Sequence, residues 1–374
     1  MKIIVVLGTR PEIIKLYSVI AEIMKTKNDF VFIHTGQHYD FMMSDIFFKE
    51  MKLKKPDYFL NIKASSQGVQ TGRIIAECEK ILKEEKPDIV LVLGDTNSAL
   101  GAAIATSKLS SSLGHIEAGC RVYDKQMSEE INRVLISDIS NLHFTPTYNC
   151  TKNLLREGIT RSQIFLTGHP LVDLIELVKN RKIANNNIEK LKVMDKGYAL
   201  ATIHRRENIE NLERISNIIS ALKQLSQNLP IVFPCHPHTQ QQITEFGLST
   251  TSKKLKLIQP VSYFESLNLI KHAKIVLTDS GGIQQESAIL GAPCVTLREA
   301  TEWVETVKSR VNFLAGFESQ RIIQITRHIE RNYEDILQRF IATKDIFGKI
   351  GASRRIIDAI EKNTPDSAAK LLTK

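Results

Sequence analysis

The chain predicts an α/β protein made of two Rossmann-like domains with a cleft between them. Three observations lead there. Short apolar, β-branched runs such as residues 3–7 and 89–93 alternate with amphipathic helical stretches, the pattern of parallel strands buried on both faces. The alternation pauses in a polar, asparagine-rich stretch over residues 179–187 and restarts at Tyr198, so the same unit runs twice. The length, 374 residues, exceeds one ordinary domain.

Composition narrows the classes. Hydrophobic residues are 43% and charged residues 24% of the chain, the balance of a water-soluble enzyme. The net charge of +9 is spread as single and paired basic residues without an arginine-rich arm, which argues against nucleic acid and for an anionic small molecule. Five cysteines lie far apart with no C-x-x-C spacing, so neither a disulfide framework nor a zinc site is expected, and the compartment is a reducing one. Residues 1–7 run straight into a glycine turn, as a strand does and a signal peptide does not. No apolar run approaches the ~20 residues that cross a bilayer. A cytoplasmic protein without membrane contact is expected.

In order, residues 3–7 form the first strand, and Gly8-Thr9-Arg10-Pro11-Glu12 opens a helix to about residue 24, with Pro11 at its start. Arg10 and Lys15 then lie near a strand's carboxyl end, where ligands of α/β sheets collect; a solvated helix lysine is the competing reading of Lys15. Residues 30–34 are a second strand followed by a polar turn containing Gln37 and His38. Residues 68–84 are helical, and residues 88–93 are the clearest strand of this half, ending in Gly94-Asp95. Asp95 is placed either for chemistry or to cap the next helix. Residues 113–116 deliver Glu117 to the same edge, with Ala118-Gly119 as the turn. Ser128 reads as the N-cap of a helix with Glu129 and Glu130 in its first turn. Glu129 is a third carboxylate for the edge, or simply the i,i+4 partner of Arg133. Residues 143–147 and 164–169 supply the last short strands, and Pro170 is a natural break.

The second half begins with a strand over residues 198–203, then His204-Arg205-Arg206-Glu207-Asn208 and a long helix to about Leu225. These cations suit an anion, or lean on Glu207 and Glu210 as a surface cluster. Residues 230–233 form a strand followed by His236 and His238, a pair without a third metal ligand nearby. Strands over 255–258, 274–278 and 293–297 continue the alternation. Asp279-Ser280-Gly281-Gly282 joins the second of these to a helix, so free amides and the positive helix end converge as a diphosphate requires. Gln285 and Glu286 are expected in that helix's first turn, Glu286 as acceptor for ribose hydroxyls. The chain contains neither G-x-G-x-x-G after its first strand nor G-x-x-x-x-G-K-[ST], so a bound cofactor is not expected and the ligand brings its own chemistry. A nucleotide sugar does so, its diphosphate being both handle and leaving group.

Six motifs occur in one order: residues 8–15, Gly94-Asp95-Thr96-Asn97, residues 115–119, residues 129–133, residues 204–208 and residues 279–286. Together they resemble the non-hydrolysing UDP-N-acetylglucosamine 2-epimerases over nearly the whole chain, to about residue 357. The resemblance implies a two-domain glycosyltransferase-B fold with a terminal helix, about 350–374, packing back on the first domain. Pro170 and the polar stretch after it set the boundary, giving an N-terminal domain over residues 1–170 and a UDP-binding domain over 171–350, with the crossing at about 170–195. It implies a homodimer that interconverts UDP-GlcNAc and UDP-ManNAc through elimination of UDP to a glycal. Carried over by motif, Asp95, Glu117, Glu129 and His204 are catalytic. Arg10, Lys15, Arg133, Arg205, Ser280, Gly281, Gly282 and Glu286 bind substrate, and no metal takes part. Where the family often has Thr-Glu-Arg-Pro-Glu this chain has Thr301-Glu302-Trp303-Val304-Glu305, losing a cation expected at the phosphate. That version, with Met43-Ser44 and Phe47-Phe48, is similar to relatives acting on UDP-2,3-diacetamido-2,3-dideoxyglucuronate, whereas Gly8-Thr9-Arg10-Pro11-Glu12 resembles the GlcNAc enzymes. Phe41, Met42 and Met43 replace polar residues through which UDP-GlcNAc activates bacterial members. A hydrolysing relative, a glycosyltransferase of the same fold, against which the dense carboxylates at one edge argue, and a non-catalytic nucleotide-sugar-binding protein are the other readings.

Overall fold

In a computed structural model the chain is described over residues 1–37, 53–64, 66–179, 191 and 193–364. His38, Phe41–Met43, Ser44, Phe47 and Phe48, most of the polar stretch 179–187, and residues 365–374 of the expected terminal helix lie outside the described residues. The chain divides into two compact units, Met1–Leu177 with Phe347–Lys374, and Val178–Ile346.

In the first unit β1 (Lys2–Leu7), β2 (Asp29–His34), β3 (Tyr58–Phe59), β4 (Ile89–Leu93), β5 (Ser112–Ile116), β6 (Leu142–Thr145) and β7 (Ile164–Leu166) form a parallel sheet in the order β3-β2-β1-β4-β5-β6-β7. Residues 3–7 are wholly inaccessible to solvent, as their unbroken apolar run requires. The terminal helix Ala352–Asn363 packs on the helix Arg10–Ile23. Asp173 fixes its start, accepting the Gly351 and Ser353 amides at 2.6 and 2.8 Å.

The second unit repeats the plan with β8 (Ala199–Thr202), β9 (Ile231–Pro234), β10 (Leu255–Ile258), β11 (Ile275–Thr278), β12 (Cys294–Thr296) and β13 (Asn312–Leu314) in the order β10-β9-β8-β11-β12-β13, again parallel. Isoleucines 215, 218 and 219 of the helix Leu212–Leu225 and Ile322 and Ile323 of Ser319–Arg331 bury one face of this sheet. Both sheets reverse direction once, between β1 and β4 and between β8 and β11. That switch point opens a crevice at the carboxyl ends of the strands, the usual ligand position in such folds. Here the turns beyond it carry Arg10 and Asp95 in one unit, His204 and Ser280 in the other.

Three local expectations are corrected. The long helix after Arg205 is two, Arg206–Ile209 and Leu212–Leu225, because Asn211 caps the second through its side chain. Met127, not Ser128, is the N-cap of Ser128–Ile139: Ser128 is already the first helical residue, and its hydroxyl donates to Glu129 at 3.0 Å. With Ser280 capping Gly281–Leu290, Gln285 and Glu286 fall in the second helical turn rather than the first.

Candidate active site

In the first unit the turns after β1, β4, β5 and β7 meet at one sheet edge. Glu12 fastens two of them together. Its carboxylate accepts the Gly8 and Thr9 amides at 3.0 and 2.9 Å, the Thr9 hydroxyl at 2.9 Å, and the Thr96 hydroxyl at 2.8 Å. Burial pushes Glu12 up to about 7 against those bonds. Arg10 starts its helix half-buried and has no hydrogen-bond or ion-pair partner among the described residues.

Glu117 follows β5 with φ of +68°, a left-handed conformation that costs a non-glycine residue about 1–3 kcal/mol and survives only where its surroundings enforce it. Here they do. Gly119, at φ +80°, lies so close to the next layer that an added Cβ would sit 2.3 Å from the Cys150 carbonyl oxygen. The Asn153 amide meanwhile donates to the Gly119 carbonyl at 2.9 Å. The Glu117 carboxylate thus reaches Lys15, whose Nζ contacts its two oxygens at 2.9 and 2.8 Å. His169 Nε2 stands 3.5 Å from Oε2. Burial alone would raise Glu117, but Lys15 and then His169 hold it well below the usual carboxylate range.

Asp95 has the opposite bias. Leu93 is in register with Ile116, so Asp95 lies beside Glu117 at the strand ends. Burial raises it, opposed chiefly by Arg133. Arg133 donates Nη2 to Asp95 and Nη1 to Glu130 at 2.7 Å. Glu130 in turn accepts the Val122 and Tyr123 amides at 3.0 and 2.9 Å. The Asn132 amide holds the Asp95 carbonyl at 2.8 Å. Glu129 is half-buried at the start of the same helix.

In the second unit Asp279, with no exposed surface, folds the cationic turn around itself. It accepts the amides of His204 at 3.1 and 3.2 Å and of Arg205 at 3.0 Å, and the Asn208 side chain at 3.1 Å. The His204 ring stays 52% exposed, its Nε2 3.8 Å from Asp279, and Arg205 Nη1 lies 3.6 Å from Glu207. Ser280 Oγ caps the helix by accepting the Ile283 amide at 3.4 Å, while the Gly281 and Gly282 amides belong to the first turn, which lacks intrahelical acceptors. Glu286 is buried on that helix. Trp303, where a cation was expected, is buried and donates its indole N–H to the Gly281 carbonyl at 3.0 Å. It therefore braces the glycine turn.

The structure brings Lys15, Asp95, Glu117 and Arg133 into one connected group, and His204, Arg205 and Ser280 into another around Asp279. Sequence reasoning missed His169, Glu12 and Glu130. His169 is expected at the end of the strand segment 164–169, but β7 stops at Leu166, which leaves His169 in the turn at the strand's carboxyl end, the position that could have drawn attention to it. Among the described residues no group of His, Cys, Asp and Glu is arranged to hold a metal ion, and no helix is long and apolar enough to cross a membrane.

Two doubly wound units, with a Ser-Gly-Gly helix start in the second, are the architecture of nucleotide-sugar enzymes of the glycosyltransferase-B type. Residues 21–361 match the family profile described as UDP-N-acetylglucosamine 2-epimerase, and the chain belongs to that family. A UDP-N-acetylglucosamine 2-epimerase of Methanococcus maripaludis is 47% identical over 332 residues, which is 86% of this chain and 90% of that protein. A UDP-2,3-diacetamido-2,3-dideoxy-D-glucuronate 2-epimerase of Pseudomonas aeruginosa is 39% identical over 331 residues, 87% of this chain and 92% of that protein. The crystal structure of Methanocaldococcus jannaschii UDP-GlcNAc 2-epimerase in complex with UDP-GlcNAc and UDP matches with a TM-score of 0.86 and 41% identity, covering 97% of this chain and 100% of that one.

Proposed function

We propose that this chain is a UDP-N-acetylglucosamine 2-epimerase that interconverts UDP-GlcNAc and UDP-ManNAc without hydrolysis. The observation that carries the reading is the placement of two carboxyls at one sheet edge with different partners, Asp95 on Arg133 and Glu117 against Lys15 and His169, so that burial raises the first while Lys15 lowers the second. Two carboxyls pushed apart in this way take different roles, one exchanging protons and the other staying charged. The higher identity to the GlcNAc enzyme, 47% against 39%, favours that sugar over the diacetamido-glucuronate.

The C2 hydrogen of the sugar has no adjacent carbonyl to stabilise a carbanion, so direct proton removal faces a large barrier. Elimination avoids it: UDP leaves C1 as the C2 proton is taken, the glycal forms, and UDP returns after protonation of the other face. Asp95, which burial raises above the ordinary carboxylate value, is the proton-transfer group, with Glu129 the second carboxyl that inversion requires. Glu117, locked as an anion, supplies negative charge where C1 becomes cationic. Lys15, Arg10, Arg205 and the Gly281 and Gly282 amides stabilise the departing diphosphate, with Ser280 shaping that turn. His204 exchanges a proton with it, and Glu286 takes the ribose hydroxyls. Arg133 acts through Asp95, to which it is bound, rather than on substrate.

The protein works as a cytoplasmic homodimer that feeds polysaccharide biosynthesis. Ile131, Val134 and Leu135 support the dimer, forming an exposed apolar stripe at i, i+3 and i+4 on the helix Ser128–Ile139. Five buried free thiols support a reducing compartment. The test is incubation with UDP-GlcNAc without added nicotinamide cofactor or metal, and anion-exchange separation of the products. UDP-ManNAc supports the reading; free ManNAc with UDP would assign the hydrolysing reaction instead.

A further inference from the structure

We propose that His169 is a positioning residue for this reaction: its Nε2–H and the Lys15 ammonium hold the Glu117 carboxylate from two sides, fixing its ionisation and its orientation. The inference rests on the epimerase reading above. It begins with the tautomer. The Leu171 amide donates to His169 Nδ1 at 3.0 Å, so the proton of the neutral ring resides on Nε2, the nitrogen 3.5 Å from Glu117 Oε2. That separation is at the long end for a hydrogen bond and within the range of a direct contact to the carboxylate.

The ring is built into place. His169 has no exposed surface, its own amide donates to the Phe347 carbonyl at 2.8 Å, and the Phe347 ring meets it edge-on at 6.2 Å. Phe347 begins the C-terminal segment that Asp173 anchors, so that segment forms the wall behind the imidazole. Lys15, His115, Asp95 and Cys120 also act electrostatically with Glu117, and Asp173 with His169. Of these, Lys15 and His169 are the groups that contact the Glu117 oxygens directly. Burial keeps His169 neutral, so it donates a hydrogen bond without placing a second cation beside Lys15.

Two variants separate this role from simple packing. In His169→Gln the side-chain amide reaches the position of Nε2 and still donates, whereas His169→Leu fills the space without a donor. A hydrogen bond to a charged group predicts a kcat loss of roughly 10–100-fold for His169→Leu, KM within about threefold, and most of the rate kept by His169→Gln. Carbon-13 NMR of the Glu117 carboxyl, assigned through Glu117→Gln, should place its titration at higher pH in His169→Leu than in wild type. Wild-type turnover by His169→Leu, or an unmoved Glu117 titration, overturns the proposal. If wild type fails to convert UDP-GlcNAc the epimerase reading falls, while the titration still decides whether His169 holds Glu117. If neither variant folds, nitrogen-15 NMR of the wild-type imidazole decides: a proton on Nε2 supports the assignment and one on Nδ1 overturns it.

Discussion

Lys15 grips both oxygens of Glu117, at 2.9 and 2.8 Å, in a pair whose side chains are only 14% and 8% exposed. A buried pair gains little over a neutral replacement, but losing one member strands the other's charge. Lys15→Met should therefore destabilise the protein by about 3–5 kcal/mol in urea unfolding, and Lys15→Met with Glu117→Gln should recover most of it. Equal stability of the single and double variants would mean that Glu117 is not held as an anion by Lys15.

Asp95 is raised by burial and pulled back by Arg133. Removing the guanidinium in Arg133→Met leaves the raising influence unopposed, so the Asp95 pKa rises further. Because Asp95 must be ionised to take the C2 proton, the acid limb of the kcat/KM profile should move to higher pH. A limb that stays or moves down contradicts the role given to Asp95.

Glu12 is raised from an ordinary 4.5 to about 7 by complete burial. Its folded form binds the proton more tightly than the unfolded chain, so its ionisation costs stability as pH rises from about 4.5 to about 7. Below that window the cost is absent. The cost reaches about 3 kcal/mol above it. Glu12→Gln keeps an acceptor for the Gly8 and Thr9 amides and cannot ionise. Denaturation of the two proteins at pH 5 and pH 8 should give the variant its advantage at pH 8; a difference that is the same at both would refute the burial argument.

Neighbouring glycines at the Ser-Gly-Gly turn should behave differently. A Cβ on Gly281 would stand 2.3 Å from Glu302 Oε1, and Glu302 is itself buried and held by Arg298 at 3.1 Å. Gly281→Ala should cost about 1–3 kcal/mol by overpacking. On Gly282 a Cβ meets, among the described residues, only Ser280 Oγ, at 3.8 Å, so Gly282→Ala should leave stability unchanged or raise it by up to about 1 kcal/mol. It should still weaken UDP by roughly tenfold or more, because the methyl occupies the diphosphate's approach. Thermal melting and calorimetric titration with UDP separate the two effects.

The legible parts of this protein were those written in local pattern. β1, β4 and β11 are buried on both faces and so read as unbroken apolar runs, whereas β3 and β13, two and three residues long, are too short for a periodicity. Asp95 and Glu117 stood out because parallel strands must release their last residues at a common edge. Their partners did not. Sequence spacing offers Glu129 as the natural mate of Arg133, but folding gives that arginine Glu130, one helical turn back, and Asp95 from another strand. Lys15 reads as a surface lysine until β5 brings a carboxylate to it. His169, 52 residues beyond Glu117, meets it only because β7 belongs to the same sheet.

Proton NMR of the protein with UDP-GlcNAc in D2O tests the central claim most directly. Elimination and re-addition require each UDP-ManNAc formed to carry solvent deuterium at C2, and Asp95→Asn should abolish both conversion and exchange while UDP affinity stays within about tenfold. UDP-ManNAc that retains its original C2 proton, or an unchanged spectrum from a protein that binds UDP, would contradict the account.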